Sequence, residues 1–421
     1  MDIMNKMTIP QLDITHLTQN QYVVDRESGV YLGHVTTALM DDGKTIYAVY
    51  PKCHAMGQVV LKRSADGGKT WSCRLPVPES WTWSMECPTL YKLTDPSGKQ
   101  RLFLFSGGWP AHRSMSEDGG LTWTEFEPFD YGGIVFLSTM VCVGPGHYLA
   151  LFHDEGRFIR GGDRMLWEAY AKGEGTSRET RFVWRTKGEE GDEYGPPQLW
   201  GLGMMPTLTM PDEQWTKVYE SHTAERFPDR HFELYLIETL DGGLTWSQPR
   251  MIANHPTGHL CEPCFVPSPD GKQLIVILRE NTRQQNSMYI LSSDGGQTWS
   301  DAVELPASLT GDRHTMCYLP DGRLFITFRD MAKDSPTRGS WVGWFGTWDD
   351  IVHGHEGQYR IFIKKNTYTY DCAYPGLELL PDGTLVTITY GHWDKDEAPY
   401  IIAVHLDPCA LDEMVAKSCA D

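Results

Sequence analysis

Several short runs of alternating apolar residues in this 421-residue chain end on a histidine or an arginine. They are Tyr50-Pro-Lys-Cys-His54, Gly108-Trp-Pro-Ala-His112, Phe152-His153, Leu278-Arg279-Glu280, Phe328-Arg329-Asp330 and Tyr390-Gly-His392. The runs that precede them open on His34, Glu86, Glu262, Arg313 with His314, and Tyr374. Guanidinium groups gathered round a concavity hold a carboxylate bidentately. Imidazoles titrate near neutrality and move protons at ordinary pH. The same set suits β-elimination on a uronate, where cations stabilise an enolate-like intermediate. The imidazoles follow no fixed metal-ligand spacing, so no cofactor is expected, with a divalent metal as their remaining use. Each residue also has a plainer role available: Tyr374 as packing, Glu262 as the ion-pair partner of Arg279.

The elements that must position these residues are strands. Ser64-Ala-Asp-Gly-Gly-Lys-Thr-Trp71 recurs as Ser116–Trp123, Thr239–Trp246 and Ser292–Trp299. Each copy reads as a hairpin turn, because Asp caps backbone N–H groups, the Gly pair tolerates positive φ, and Trp plugs the gap to a neighbouring sheet. Asp-Gly turns at 42–43, 270–271, 321–322 and 382–383 punctuate the hairpins between them. With 41 Gly, 15 Trp and no linker or low-complexity stretch, residues 1–421 suit a single all-β domain built of repeats.

The net charge of −19, without a Lys/Arg run, argues against nucleic acid or an anionic membrane as partner. The chain as given opens without an apolar run of signal-peptide length and holds none that would span a bilayer. Ten scattered cysteines in a large domain favour reduced thiols, so the expected location is the cytoplasm. Cys261-Glu-Pro-Cys264 is a lone CxxC without a second pair to complete a zinc site.

The four repeats resemble Asp-boxes, the signature of the sialidase superfamily of β-propellers. That resemblance implies blades in which the start of the innermost strand and the end of the second strand share one face, so the polar residues above would meet there. Repeat tryptophans at 71, 123, 246 and 299 leave one interval more than double the others. Residues 165–231 are therefore either an extra blade marked by Trp184, giving seven, or an insertion in the third blade, giving six. Spacing favours seven and the resemblance favours six, which is the preferred reading. Residues 12–28 are expected to close the ring against the last blade.

The resemblance also implies roles. His259-Leu-Cys-Glu262 followed by Leu278-Arg279 is similar to the segment carrying the Glu and second Arg of a carboxylate-binding triad. Gly311-Asp-Arg313 leading to Phe328-Arg329 sits where the third Arg would lie, and Ala373-Tyr374-Pro-Gly resembles the segment of the nucleophilic Tyr, which the Glu deprotonates. A neutral nucleophile approaches an anomeric centre beside a carboxylate without repulsion. Two departures stand out: Gly33-His34-Val35 replaces the first triad Arg, and Cys53-His54 occupies the place of the Asp acid/base.

The resulting expectation is a sialidase-like exo-glycoside hydrolase acting on an acidic or branched glycan. Tyr374 would be nucleophile, Glu262 its base and His54 the acid/base, with Arg279, Arg313 and Arg329 gripping an anionic group. His34, His112, His153, His314 and His392 would line the substrate site. A uronate-directed lyase and a glycan-binding propeller without turnover are the alternatives. Trp81, Trp83, Trp109 and Trp393 serve either as sugar-stacking rings or as packing between blades, and Arg157 and Arg160 either extend the cationic pocket or pair within the third blade.

Overall fold

The computed structural model describes residues 7–418 except 56, 83, 85, 109, 156–157, 160–164, 173–178, 187–197, 200–215 and 222–231. Period-two alternation and β-branched or aromatic content make its strands, and the Asp-Gly turns fold them into antiparallel sheets. Six of these sheets form blades. Their innermost strands are Thr36–Leu39, Thr89–Thr94, Ile134–Gly144, Leu260–Pro267, Gly311–Tyr318 and Gly376–Leu379. All six line one axial channel of about 510 Å³.

A separate apolar cluster seals each junction between successive blades, and the junction of sixth and first blades closes the ring. Trp71, Trp123, Trp246 and Trp299 each pack into the cluster between their own blade and the preceding one. In the first repeat Asp66 Oδ1 accepts Thr70 N at 2.9 Å, Ser64 Oγ accepts Gly68 N at 2.8 Å, and Trp71 Nε1 donates to the Gly68 carbonyl at 3.1 Å. The other three repeats reproduce this turn.

The third blade explains the long tryptophan interval. Its strands Ile134–Gly144 and His147–Asp154 are followed in the chain by Met165–Lys172, Glu179–Thr186, Gln198–Leu199 and Thr216–Ser221, which among the described residues pair with one another as a separate sheet. The blade is completed by Glu233–Thr239 and Arg250–Asn254. A sheet spliced between two strands of one blade lengthens the interval without adding a blade to the ring, so the propeller has six blades rather than seven. Near the N-terminus, Gln21–Asp25 adds the outer strand to the sixth blade and Gln11–Asp13 adds a parallel strand to the fifth.

Trp81 is fully buried against Trp123 and Phe126, and Trp393 packs on Trp341, so both are packing rings. Trp83, Trp109, Arg157, Arg160 and the Trp184 side chain lie outside the described residues. Cys261 and Cys264 are buried free thiols on the innermost strand of the fourth blade, and burial pushes Cys264 up to about 12. Among the described residues, no helix is long and apolar enough to cross a membrane.

Candidate functional site

Backbone strain recurs at the mouth of the innermost strands. His34, Glu262, Arg313 and Ala373 all adopt left-handed φ, at 55°, 50°, 54° and 56°. Non-glycine residues held there cost on the order of 1 kcal/mol each. In the fourth and fifth blades the strain coincides with a register shift between Cys261 and Cys264 and between Asp312 and Thr315. A bulge at this point re-aims a side chain that strict alternation would direct elsewhere. Glu262 and Arg313 sit on these bulges, and Tyr374 directly follows the left-handed Ala373.

On one side, the Tyr374 hydroxyl donates to Glu262 Oε1 at 2.5 Å. Arg279 Nη1 donates to the same carboxylate oxygen at 2.6 Å and to the Tyr374 oxygen at 3.0 Å. Tyr374 and Glu262 are 8% and 5% exposed, so their reacting atoms lie deep. Burial, followed by the Glu262 charge, raises the Tyr374 phenol well above its usual range, and it stays protonated. The Glu262 N–H faces His153 Nδ1 at 3.4 Å, and its Oε2 has no hydrogen-bond partner among the described residues. The Arg329 guanidinium lies 5.2 Å from the Tyr374 ring centre.

On the other side, one carboxylate organises two histidines. Asp371 Oδ2 accepts the Tyr31 hydroxyl at 2.6 Å and Oδ1 accepts the Tyr390 hydroxyl at 2.7 Å. With its proton directed to Asp371, the Tyr31 oxygen accepts His54 Nδ1–H at 2.8 Å, leaving the lone pair on His54 Nε2, which has no hydrogen-bond partner among the described residues. His34 takes the opposite tautomer. Its Nδ1 accepts the Ala55 N–H at 3.0 Å, so Nε2–H points to the Tyr390 oxygen at 3.3 Å. Burial, then the neighbouring His54, lowers His34 well below the ordinary imidazole range, so it is neutral. Burial would raise Asp371, but the hydrogen bond and charge of His54, 3.5 Å away, hold it below the usual carboxylate range. Gly33 is required here: a Cβ would stand 2.5 Å from the Tyr31 ring and 3.1 Å from Tyr390.

His34 joins the two halves. Its ring centre is 4.6 Å from His54 and 4.6 Å from Tyr374. The His54 side chain is 36% exposed, which keeps it open to an incoming molecule. The result is a hydrogen-bonded tyrosine–carboxylate pair and a tautomer-fixed imidazole on either side of a neutral histidine.

The expected residues divide accordingly. Tyr374, Glu262, Arg279, Arg329, His34, His54 and His153 converge. Arg313 instead donates to the Ser138 carbonyl at 2.8 Å and lines the axial channel. His314 Nε2 faces the Leu309 carbonyl at 2.9 Å, with its ring against Phe328, and His392 Nδ1 faces the Glu397 carbonyl at 3.0 Å. His112 packs on Phe126. Burial lowers His112 and His314 to about 4, so both are neutral at pH 7. Arg279 Nε and Arg329 Nη2 lie 3.2 and 2.6 Å from the oxygens of Asp312. Asp371, Tyr31, Tyr390 and Asp312 are site residues to which sequence reasoning assigned no role. Among the described residues, no three His, Cys, Asp or Glu side chains are grouped to hold a metal ion.

The profile of the BNR repeat-like domain matches residues 198–339. That match lies within a chain that folds as a six-bladed β-propeller. Its fold is similar to that of a Dyadobacter fermentans protein of unknown function, with a TM-score of 0.58 at 14% identity, covering 92% of this chain and 97% of that one. The intramolecular trans-sialidase of Ruminococcus gnavus matches with a TM-score of 0.43 at 15% identity, over 90% and 95% of the two chains. An α-L-arabinofuranosidase from Podospora anserina gives 0.43 at 10% identity, over 95% and 97%. No curated protein matches the sequence. At 14% identity the likeness to the Dyadobacter protein speaks to fold alone, and the chemistry of this six-bladed propeller has to be argued from its own residues.

Proposed function

We propose that this propeller is a carbohydrate-active enzyme, an exo-acting glycoside hydrolase that works through a tyrosine nucleophile. The observation that carries the reading is the 2.5 Å hydrogen bond from Tyr374 to Glu262, braced by Arg279 Nη1. In the first step the Tyr374 oxygen attacks the anomeric carbon while its proton passes to Glu262. The protonated His54 donates from Nε2 to the glycosidic oxygen, and the aglycone leaves as an alcohol. In the second step water gives a proton to His54 and attacks the glycosyl–tyrosine bond. Tyr374 departs and takes its proton back from Glu262. Two displacements at one carbon retain its configuration.

Arg279 supports both steps, because it holds Glu262 in place and stabilises phenolate character as it develops. Asp371 positions His54 through Tyr31. The depth of Tyr374 and Glu262 favours a terminal sugar, which can enter such a site end-on. A lyase reading draws on one observation, the free Nε2 of His54, which is equally suited to abstract a proton.

The experiment that separates them is mass spectrometry of the products from a panel of neutral, sialylated and uronate-containing oligosaccharides. Hydrolysis adds one water to the summed product mass. Products without that water transfer the assignment to elimination. Ligand binding without any product, unchanged in Tyr374→Phe and His54→Ala, leaves a binding propeller.

A further inference from the structure

The arginines around the pocket direct their guanidinium groups at a side chain of the protein itself. Asp312 lies fully buried on the innermost strand of the fifth blade. Its Oδ1 accepts Arg283 Nη1 at 2.5 Å and stands 3.2 Å from Arg279 Nε. Its Oδ2 accepts Arg283 Nη2 at 2.8 Å, Arg329 Nε at 2.8 Å and Arg329 Nη2 at 2.6 Å. The other Arg329 nitrogen, Nη1, holds the Tyr370 carbonyl at 2.6 Å and the Cys372 carbonyl at 3.4 Å, and Arg279 Nη1 is taken by Glu262 and Tyr374.

We propose that Asp312 is a built-in occupant of an anion site formed by Arg279, Arg283 and Arg329, and that it sets the pocket for a sugar bearing no carboxylate towards these arginines. The proposal deepens the glycoside hydrolase reading and rests on it for the word sugar. Bidentate recognition needs two parallel N–H groups free on one guanidinium. Arg283 and Arg329 each present such a pair to Asp312. A substrate carboxylate arriving here would have to displace a buried anion or share its partners against like-charge repulsion. Burial raises Asp312, but Arg279, Arg329 and Arg283 together hold it below the usual carboxylate range, so it stays an anion at neutral pH.

The same geometry predicts what its removal creates. Three guanidinium cations would face a vacancy the size of a carboxylate, and a small carboxylate in solution would fill it. The test is Asp312→Gly, melted in sodium formate and in sodium chloride of equal ionic strength. Formate is expected to raise the Tm of the variant saturably, by about 2 °C at ten times its dissociation constant, and to leave the wild-type Tm unmoved. A variant that responds equally to formate and chloride overturns the proposal.

Should Asp312→Gly fail to fold, the wild-type protein supplies the decision by calorimetric titration with glucose and with glucuronate. Glucuronate binding more tightly than glucose overturns the proposal, and weaker or absent glucuronate binding bears it out. Neither readout requires turnover, so a protein that hydrolyses nothing still tests the role of Asp312.

Discussion

Replacing Asp371 with Asn removes one oxygen acceptor and the charge at the point where Tyr31, Tyr390 and His54 meet. Both phenols donate to this carboxylate, at 2.6 and 2.7 Å. An amide has one acceptor oxygen, so one buried phenol would face an NH₂ group and lose its partner. Leaving a buried donor unsatisfied costs about 1–3 kcal/mol, and about 1 kcal/mol more follows as the surviving bond loses its charge assistance. A total near 2.5 kcal/mol, over an unfolding entropy of about 0.9 kcal/mol/K for 421 residues, lowers Tm by about 3 °C. The protein stays folded, and the larger effect falls on chemistry.

Without the anion, Tyr31 is free to turn its proton towards His54 Nδ1, which moves the imidazole proton to Nε2 and removes the lone pair from the pocket. The expected loss in kcat is roughly 10²-fold with KM little changed, as for other groups that orient a catalytic imidazole. The assay is steady-state hydrolysis of whichever glycan the substrate panel identifies, measured for Asp371→Asn, His54→Ala and the double variant. If Asp371 acts through His54, the double variant is no slower than His54→Ala. Multiplicative losses, or an Asp371→Asn enzyme with wild-type kcat, would refute the relay.

Tyr374→Phe is expected to lower kcat at least about 10³-fold while KM stays within a factor of about three, because the phenol hydroxyl acts in the transition state; an equal loss in both parameters points to a binding role. Glu378, on the innermost strand of the sixth blade, is pushed up to about 7 by burial, against the hydrogen bonds of Thr37 and Leu39 that lower it. The folded protein therefore keeps a proton that the unfolded chain releases from about pH 4.5 upward, so stability falls between pH 4.5 and 7 by at most about 3 kcal/mol. Glu378→Gln should raise Tm at pH 8 relative to wild type and leave it unchanged at pH 4; a pH-independent effect contradicts this. Asp330 and Arg360 pair at 2.9 Å, both fully buried. Asp330→Asn leaves an uncompensated cation, and denaturant unfolding should show a loss of about 3–5 kcal/mol, with a loss below about 1 kcal/mol counting against the argument.

The repeat pattern was legible because each Asp-box turn is local. The atoms that cap it come from eight consecutive residues, so composition and spacing alone specify the hairpin, and four copies specify the architecture. Tyr374, Glu262 and Arg279 were legible through the segments that surround them. The blade count needed the strand pairings, since a doubled interval looks alike whether a sheet joins the ring or is spliced into one blade.

The rest of the site was decided in three dimensions. Asp371 meets Tyr31 across 340 residues of chain, and Asp312 meets arginines from two blades, so no window of sequence contains either constellation. Both aspartates are visible beside residues that did attract attention, Asp312 before Arg313 and Asp371 three places before Tyr374. Arg313 shows the reverse. Its spacing places it at the rim, yet the left-handed bulge at its own Cα turns its guanidinium to the Ser138 carbonyl in the channel. Alternation tells which face a regular strand offers, and a bulge changes that face by one residue at the positions where chemistry is assembled.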